Sequence, residues 1–330
     1  MADENAKLID RLRKAGFSRA AIEAAWPSWW TEDADKSPSG RAELRFALAR
    51  RLGLDPRPLL GERVEFIWND EAKFKHLSAA SEHQKSALTS FGVSIGRLLL
   101  RATPRSGIRN VSADKLRDSI LSSNAFVDLE SLISACWALG IPVIYLRVFP
   151  MEAKSMHAMV VSVDDRFAIL LGRDAQYPAP VAFTLAHELG HVMLDHLKGA
   201  PALVDVEDPA STSSDDDQEK EADQFALTLL TGGADREIKT NLKEFNAPTL
   251  ANAVMRAAAQ YRIEPGTMAL CVGYQTGLWA VATSALNFIY SRSIPAWPEV
   301  NGIANSELEW DELSIDSQCY LKKVMAISDV

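Results

Sequence analysis

Cysteine is scarce in this sequence: there are three in 330 residues, Cys136, Cys271 and Cys319, odd in number and far apart. That argues against a disulfide framework and a cysteine-built zinc ribbon, and it fits a reducing compartment. There is no glycine-rich phosphate loop and no internal repeat of useful length. The opening Met1-Ala-Asp-Glu-Asn-Ala-Lys lacks the basic-then-apolar layout of a secretory signal, so a cytoplasmic protein is expected. Met268–Tyr290 carries no charge, but Gln275, Thr276, Asn287 and two glycines interrupt it and no basic cluster flanks it. It reads as buried core helices, with no membrane as partner. Positive charge is in deficit as well, and a formal net charge of -9 argues against a wholesale nucleic-acid binder while leaving room for a local basic patch.

What is present is a short stretch with chemistry in it, Phe183-Thr-Leu-Ala-His187-Glu188-Leu-Gly-His191. Two histidines at i and i+4 share one face of a helix and can hold a single Zn²⁺ from the same side. Glu188 then falls beside the ion, where it can take a proton from an activated water and pass it to a leaving amine. Pro180 suits the first turn, and Val181, Leu185, Leu189, Val192 and Met193 give the helix a broad apolar surface. A helix of that kind is buried rather than a solvated face that happens to carry histidines. His196, five residues past His191, is off the ligand face by helical spacing and reads as a non-ligand.

Two histidines need a third protein ligand and an open position. The best candidate lies where the polar run Asp215-Asp-Asp-Gln-Glu219 gives way to Glu221-Ala222-Asp223-Gln-Phe225-Ala226. Glu219, Ala222 and Ala226 stand at i, i+3 and i+7, so Glu219 points where small residues pack, and Asp223 is placed to accept a hydrogen bond from a ligand histidine. The competing reading is a capped, exposed, acidic helix start.

Together, F-T-L-A-H-E-L-G-H and E-x-E-A-D-x-F-A-x-x-L-L resemble the ImmA/IrrE-type metallopeptidases, a gluzincin-like group, over about residues 125 to 230. The resemblance implies one zinc ion held by His187, His191 and Glu219, with Glu188 as general acid and base. It also implies a narrow protein substrate, a helix-turn-helix repressor cleaved under stress or DNA damage. The family's usual apolar-Met-Pro ending is replaced here by Leu229-Leu-Thr-Gly-Gly233.

Length suggests two or three domains. Residues 1–62 read as helical, with Leu48 to Leu60 resembling part of a repressor-type helix-turn-helix. Residues 63–123 connect, carrying a long helix over about Ala79 to Ala102 and the most basic window, Arg97, Arg101, Arg105, Arg109, Lys115 and Arg117 against the lone Asp114. That window is a candidate anion surface, for instance for activating single-stranded DNA, or simply a solvated helix face; no stacking aromatic lies inside it. Residues 124–233 form the expected peptidase core: a helix capped by Asp128, a strand over Pro142–Phe149, and a hairpin over Ala158–Val163 and Arg166–Leu171 turning at Asp164-Asp165. The metal helix and the ligand helix follow. This order predicts an α+β fold, mostly helical, with a small antiparallel or mixed sheet packed on the HExxH helix, its open edge available to a substrate peptide. Lys198–Asp217 reads as a loop that gates the cleft, and residues 234–330 as helices packed on the core.

His157 and Tyr177 are conceivable oxyanion donors, with a purely structural role as the plainer reading of each. Two other functions compete with a peptidase. One is a DNA- or protein-binding regulator whose zinc is structural. The other is an inhibited zymogen in which Cys136, Cys271 or Cys319 occupies the open metal position.

Overall fold

The computed structural model describes residues 2–68, 73–75, 82–108, 110–150, 156–205, 217–234, 238, 245–293 and 295–327. The fold is α+β, predominantly helical. Fifteen helices are described: α1 (Ala2–Lys14), α2 (Arg19–Ala25), α3 (Glu32–Lys36), α4 (Pro38–Leu52), α5 (Pro56–Leu60), α6 (Glu82–Arg101), α7 (Ala113–Leu121), α8 (Leu129–Ala138), α9 (Pro178–Met193), α10 (Asp217–Thr231), α11 (Ala247–Tyr261), α12 (Pro265–Thr276), α13 (Trp279–Ile289), α14 (Trp297–Glu307) and α15 (Ile315–Met325). The strands are β1 (Lys73–Lys75), β2 (Val143–Tyr145), β3 (Ala158–Val163), β4 (Arg166–Leu171) and β5 (Ala202–Asp205), in the spatial order β1-β5-β3-β4-β2.

The sheet is mixed. The hairpin β3–β4 is antiparallel, with Ala158 opposite Leu171 and Val163 opposite Arg166. Its turn residues Asp164 and Asp165 both adopt positive φ, 50° and 57°, as a two-residue hairpin turn matched to strand twist requires, and Asp tolerates that region. β2 runs parallel to β4, and β5 lies antiparallel to β3 and parallel to β1.

Residues 158–161 and 168–171 are all buried, so both faces of the hairpin are covered. Helices α6 and α9 both pack on β3 and β4 without packing substantially on each other, which places them on opposite faces. The approach of α6 depends on Gly92 and Gly96. A Cβ on Gly96 would lie 2.7 Å from Val161 Cγ1, and one on Gly92 would run into the Met159 sulfur, so glycine at i and i+4 lets the helix sit directly on β3.

Three expectations are corrected here. Residues 202–205, expected as loop, form the inner strand β5; residues 206–216 lie outside the described set. The sheet edge at β2 is not open, because Asn301 of α14 closes it. The Asn301 side-chain oxygen accepts from Tyr145 N at 2.7 Å, and its amide donates to Tyr145 O at 2.9 Å and to Met325 O at 2.7 Å. Among the described strands the other edge is β1. The helix after Gly53 spans only Pro56–Leu60, too short to lie along a DNA groove as the second helix of a helix-turn-helix would.

One hydrophobic core runs from Leu8 of α1 through α6, the sheet, α9 and α10 to Met325 of α15. The regions expected at 1–62, 63–123 and 124–233 therefore share a core. Among the described residues, α11–α13 bury a separate cluster, around Val254, Met268 and Ala282, and α12 packs on α9. The uncharged run 268–290 is split between α12 and α13 at Gly277, and no helix is long and apolar enough to cross a membrane among the described residues.

Candidate metal centre

Helix α9 carries Pro178 in its first turn and is buried along nearly its whole length from Ala179 to Met193. Its two histidines cannot face water and must find partners inside the protein. Helix α10 crosses it at Gly190. A Cβ at that position would stand 3.1 Å from both Cα and O of Ala222, so the pair Gly190 and Ala222 sets how closely the two backbones meet. The far end of α10 is held by Arg117 of α7, whose buried guanidinium donates to Leu229 O at 2.9 Å, Leu230 O at 2.8 Å and Arg262 O at 2.6 Å. Those acceptors include carbonyls of the last helical turn, which have no partner within the helix itself.

The close crossing brings Glu219 to the histidines. His187, His191 and Glu219 each offer one ligand atom, all within 4.8 Å of one another, and all three residues are buried. His187 Nε2 and His191 Nε2 are 3.0 Å apart. The Glu219 oxygens lie 3.3 Å from His187 Nε2 and 3.5 Å from His191 Nε2. Glu188, next in sequence to His187, is fully buried.

Asp223 Oδ1 sits 2.8 Å from the other nitrogen of His187, Nδ1. A carboxylate there accepts, so Nδ1 carries the ring proton and Nε2 presents a lone pair to the cluster. The interior of the group is then rich in nitrogen and carboxylate lone pairs and largely shielded from bulk water, an arrangement that calls for a cation. A donor set of two imidazole nitrogens and one carboxylate fits a divalent ion of zinc's intermediate softness. Among the described residues it comprises three protein donors rather than the four of a closed structural site.

His196 and Glu221 also belong to this neighbourhood, and helical spacing did not reveal it. Helix α9 stops at Met193, Asp195 takes a left-handed φ of 62°, and His196 N donates back to His191 O at 3.0 Å. This reversal turns the His196 ring onto His191, with Nδ1 to Nδ1 at 2.8 Å, and its Nε2 reaches Glu221 Oε2 at 3.0 Å. The signal available in the sequence is the spacing His191-x4-His196 at a helix end.

The remaining candidates fall elsewhere. His157 Nε2 is 2.8 Å from Thr184 Oγ1, and that hydroxyl donates to Pro180 O at 3.2 Å, so the imidazole N–H donates to the hydroxyl one turn before His187. Tyr177 precedes α9, donates its hydroxyl to Asn287 Oδ1 and stacks on Tyr290 with ring centroids 5.5 Å apart. Arg97, Arg101 and Arg105 are exposed, with the Arg97 guanidinium 4.3 Å over the ring of Trp68, while Arg109 lies outside the described residues. Arg117, counted in the same basic window, is buried in the clamp on α10 and offers no charge to a partner.

No cysteine joins the cluster among the described residues. Burial pushes the Cys136 and Cys271 thiols up to about 12. At pH 8 only about 10⁻⁴ of each would be thiolate, against roughly a quarter of an ordinary free thiol. Iodoacetamide at pH 8 is therefore expected to leave both unmodified in the folded protein and to modify them in denaturant, as peptide mass mapping would show. Cys136 is fully buried and Cys271 half-buried, so rapid native labelling of Cys136 would contradict its burial.

The fold and the site thus define an α+β chain with a buried His-His-Glu group, built from an HExxH helix and a crossing acidic helix, that could hold a metal ion. Residues 175–273 match the family model Peptidase U49. The match begins just before α9 and ends in α12, so every member of the cluster lies inside it, and it supports proteolytic function. No curated protein matches the chain.

Proposed function

We propose that the protein is a zinc-dependent endopeptidase of the ImmA/IrrE type that cleaves a regulatory protein, such as a helix-turn-helix transcriptional repressor. The observation that carries this reading is the convergence of His187, His191 and Glu219 within 4.8 Å beside a buried Glu188, inside the stretch that matches a peptidase family. The set of three protein donors favours a catalytic site over a structural one.

His187, His191 and Glu219 would hold the ion. When bound, it supplies Lewis acidity that polarises the scissile carbonyl and makes water a usable nucleophile near neutral pH. Glu188 takes the proton of the attacking water and returns it to the leaving nitrogen, a role that requires a carboxylate held rigidly within hydrogen-bond reach. Its burial among packed side chains of α9 provides the rigidity. Asp223 keeps the His187 ring turned with Nε2 inward. The apolar surroundings of α9 keep bulk water out and so strengthen each of these interactions.

The test is elemental analysis of the purified full chain together with incubation against candidate repressors. About one zinc per chain is expected, with cleavage abolished by chelation and restored by zinc. An added arm with single-stranded DNA examines whether Arg101 and Arg105 meet an activator. Cleavage indifferent to chelator, or a protein that takes up no metal, would overturn the proposal.

A further inference from the structure

The two histidines of the cluster are held from behind in different ways. Where Asp223 contacts the outer nitrogen of His187, the outer nitrogen of His191 meets another imidazole, and that imidazole meets a carboxylate. The two ends of this chain determine its direction. If Nε2 of His191 presents a lone pair to an ion beside His187 and Glu219, a neutral ring carries its proton on Nδ1. That proton is donated to Nδ1 of His196, whose own proton then sits on Nε2 and is donated to Glu221. The carboxylate can only accept, so a single tautomer of each ring satisfies both ends.

We propose that His196 and Glu221 are positioning residues for the metal centre, orienting His191 and holding its inward nitrogen as a lone pair, as Asp223 does directly for His187. The proposal rests on the metal-site reading above. His191 is fully buried and His196 is 4% exposed, so water does not compete for the bond between the rings. Glu221 lies at the surface, with its side chain 60% exposed, so its bond to His196 is screened and contributes less. The geometry exists because the left-handed Asp195 folds the chain back over the last turn of α9.

A purely structural His196, plugging the end of the helix, predicts something different, and variants of the full-length protein separate the two. His196→Leu keeps most of the volume and removes the acceptor. His196→Asn places an amide oxygen near the position of Nδ1 and keeps an acceptor for His191. Zinc affinity is to be measured by competition with a chromophoric chelator, the visible spectrum of the cobalt-substituted protein reports ligand geometry, and thermal melting of the metal-free protein reports packing.

Loss of the outer partner is expected to weaken zinc binding by about 10- to 100-fold in His196→Leu and to shift the cobalt bands. His196→Asn should recover most of that affinity although it too loses ring volume. Should His196→Leu fail to fold, Glu221→Ala provides the reading from the surface, with an expected weakening of about two- to fivefold. Wild-type affinity in His196→Leu, equal weakening in His196→Leu and His196→Asn, or unchanged affinity in Glu221→Ala would each overturn the relay. A wild-type chain that binds no zinc overturns the metal-centre reading and the relay with it, whereas tight wild-type binding with indifferent variants overturns the relay alone.

Discussion

Replacing Glu188 with Gln is expected to lower peptide hydrolysis by about 10²- to 10⁴-fold, the share a positioned general base contributes, while zinc content stays at the wild-type level. Glu188 is buried in α9 but is not among the three clustered donors. Gln has the same shape and fills the same space, yet cannot accept a proton. Because it also removes a carboxylate from an interior where charge is costly, melting temperature should hold or rise. Kinetics on a cleavable substrate, with metal analysis of the same samples, checks both halves. Retained cleavage would remove Glu188 from the chemistry, and lost metal would show that it helps to hold the ion.

Replacing Glu219 with Ala should have the larger effect on the ion itself. Removing an outer partner of a metal ligand alone costs 10- to 100-fold in affinity, so deleting one of three ligands is expected to cost more than about 100-fold. Circular dichroism should remain near wild type, since α10 keeps Ala222, Phe225, Ala226 and Leu229 buried against the core. Gly190→Leu supplies the geometric counterpart of this experiment. Its side chain would start 3.1 Å from the Ala222 backbone and force α10 away, withdrawing Glu219 although every ligand is still present. Chelator competition on both variants tests whether the crossing, rather than the ligand types alone, makes the site. Wild-type zinc affinity in Gly190→Leu would show that the crossing does not set the donor distances, and wild-type affinity in Glu219→Ala would remove the third ligand.

Much of the local structure was legible in the residues. Asp128 was expected to cap α8, and its side chain accepts from Ser131 N at 2.9 Å. Two apolar-rich runs joined by Asp164-Asp165 point to a hairpin, and the chain turns there. These features depend on neighbours a few residues apart. Ala202–Asp205 reads as loop in sequence because it lies in a stretch with Gly199, Pro201, Pro209, a Ser-Thr-Ser-Ser run and three aspartates. Its strand character comes from backbone partners on β3 and β1, which sequence proximity does not reveal. The basic window was overcounted for a related reason: Arg117 reads as surface charge until the last turn of α10 is seen to present its carbonyls to it.

The i, i+4 histidines, the carboxylate between them and the small residues at the crossing positions follow from helical periodicity, which any helix of this composition carries with it. The convergence of Glu219 on those histidines, the reversal that seats His196 behind His191 and the closing of the β2 edge by Asn301 were decided only by the folded chain. Each pairs groups whose segments meet through close packing or a chain reversal, and such meetings depend on interhelical distance and loop conformation, to which residue spacing along the chain is blind.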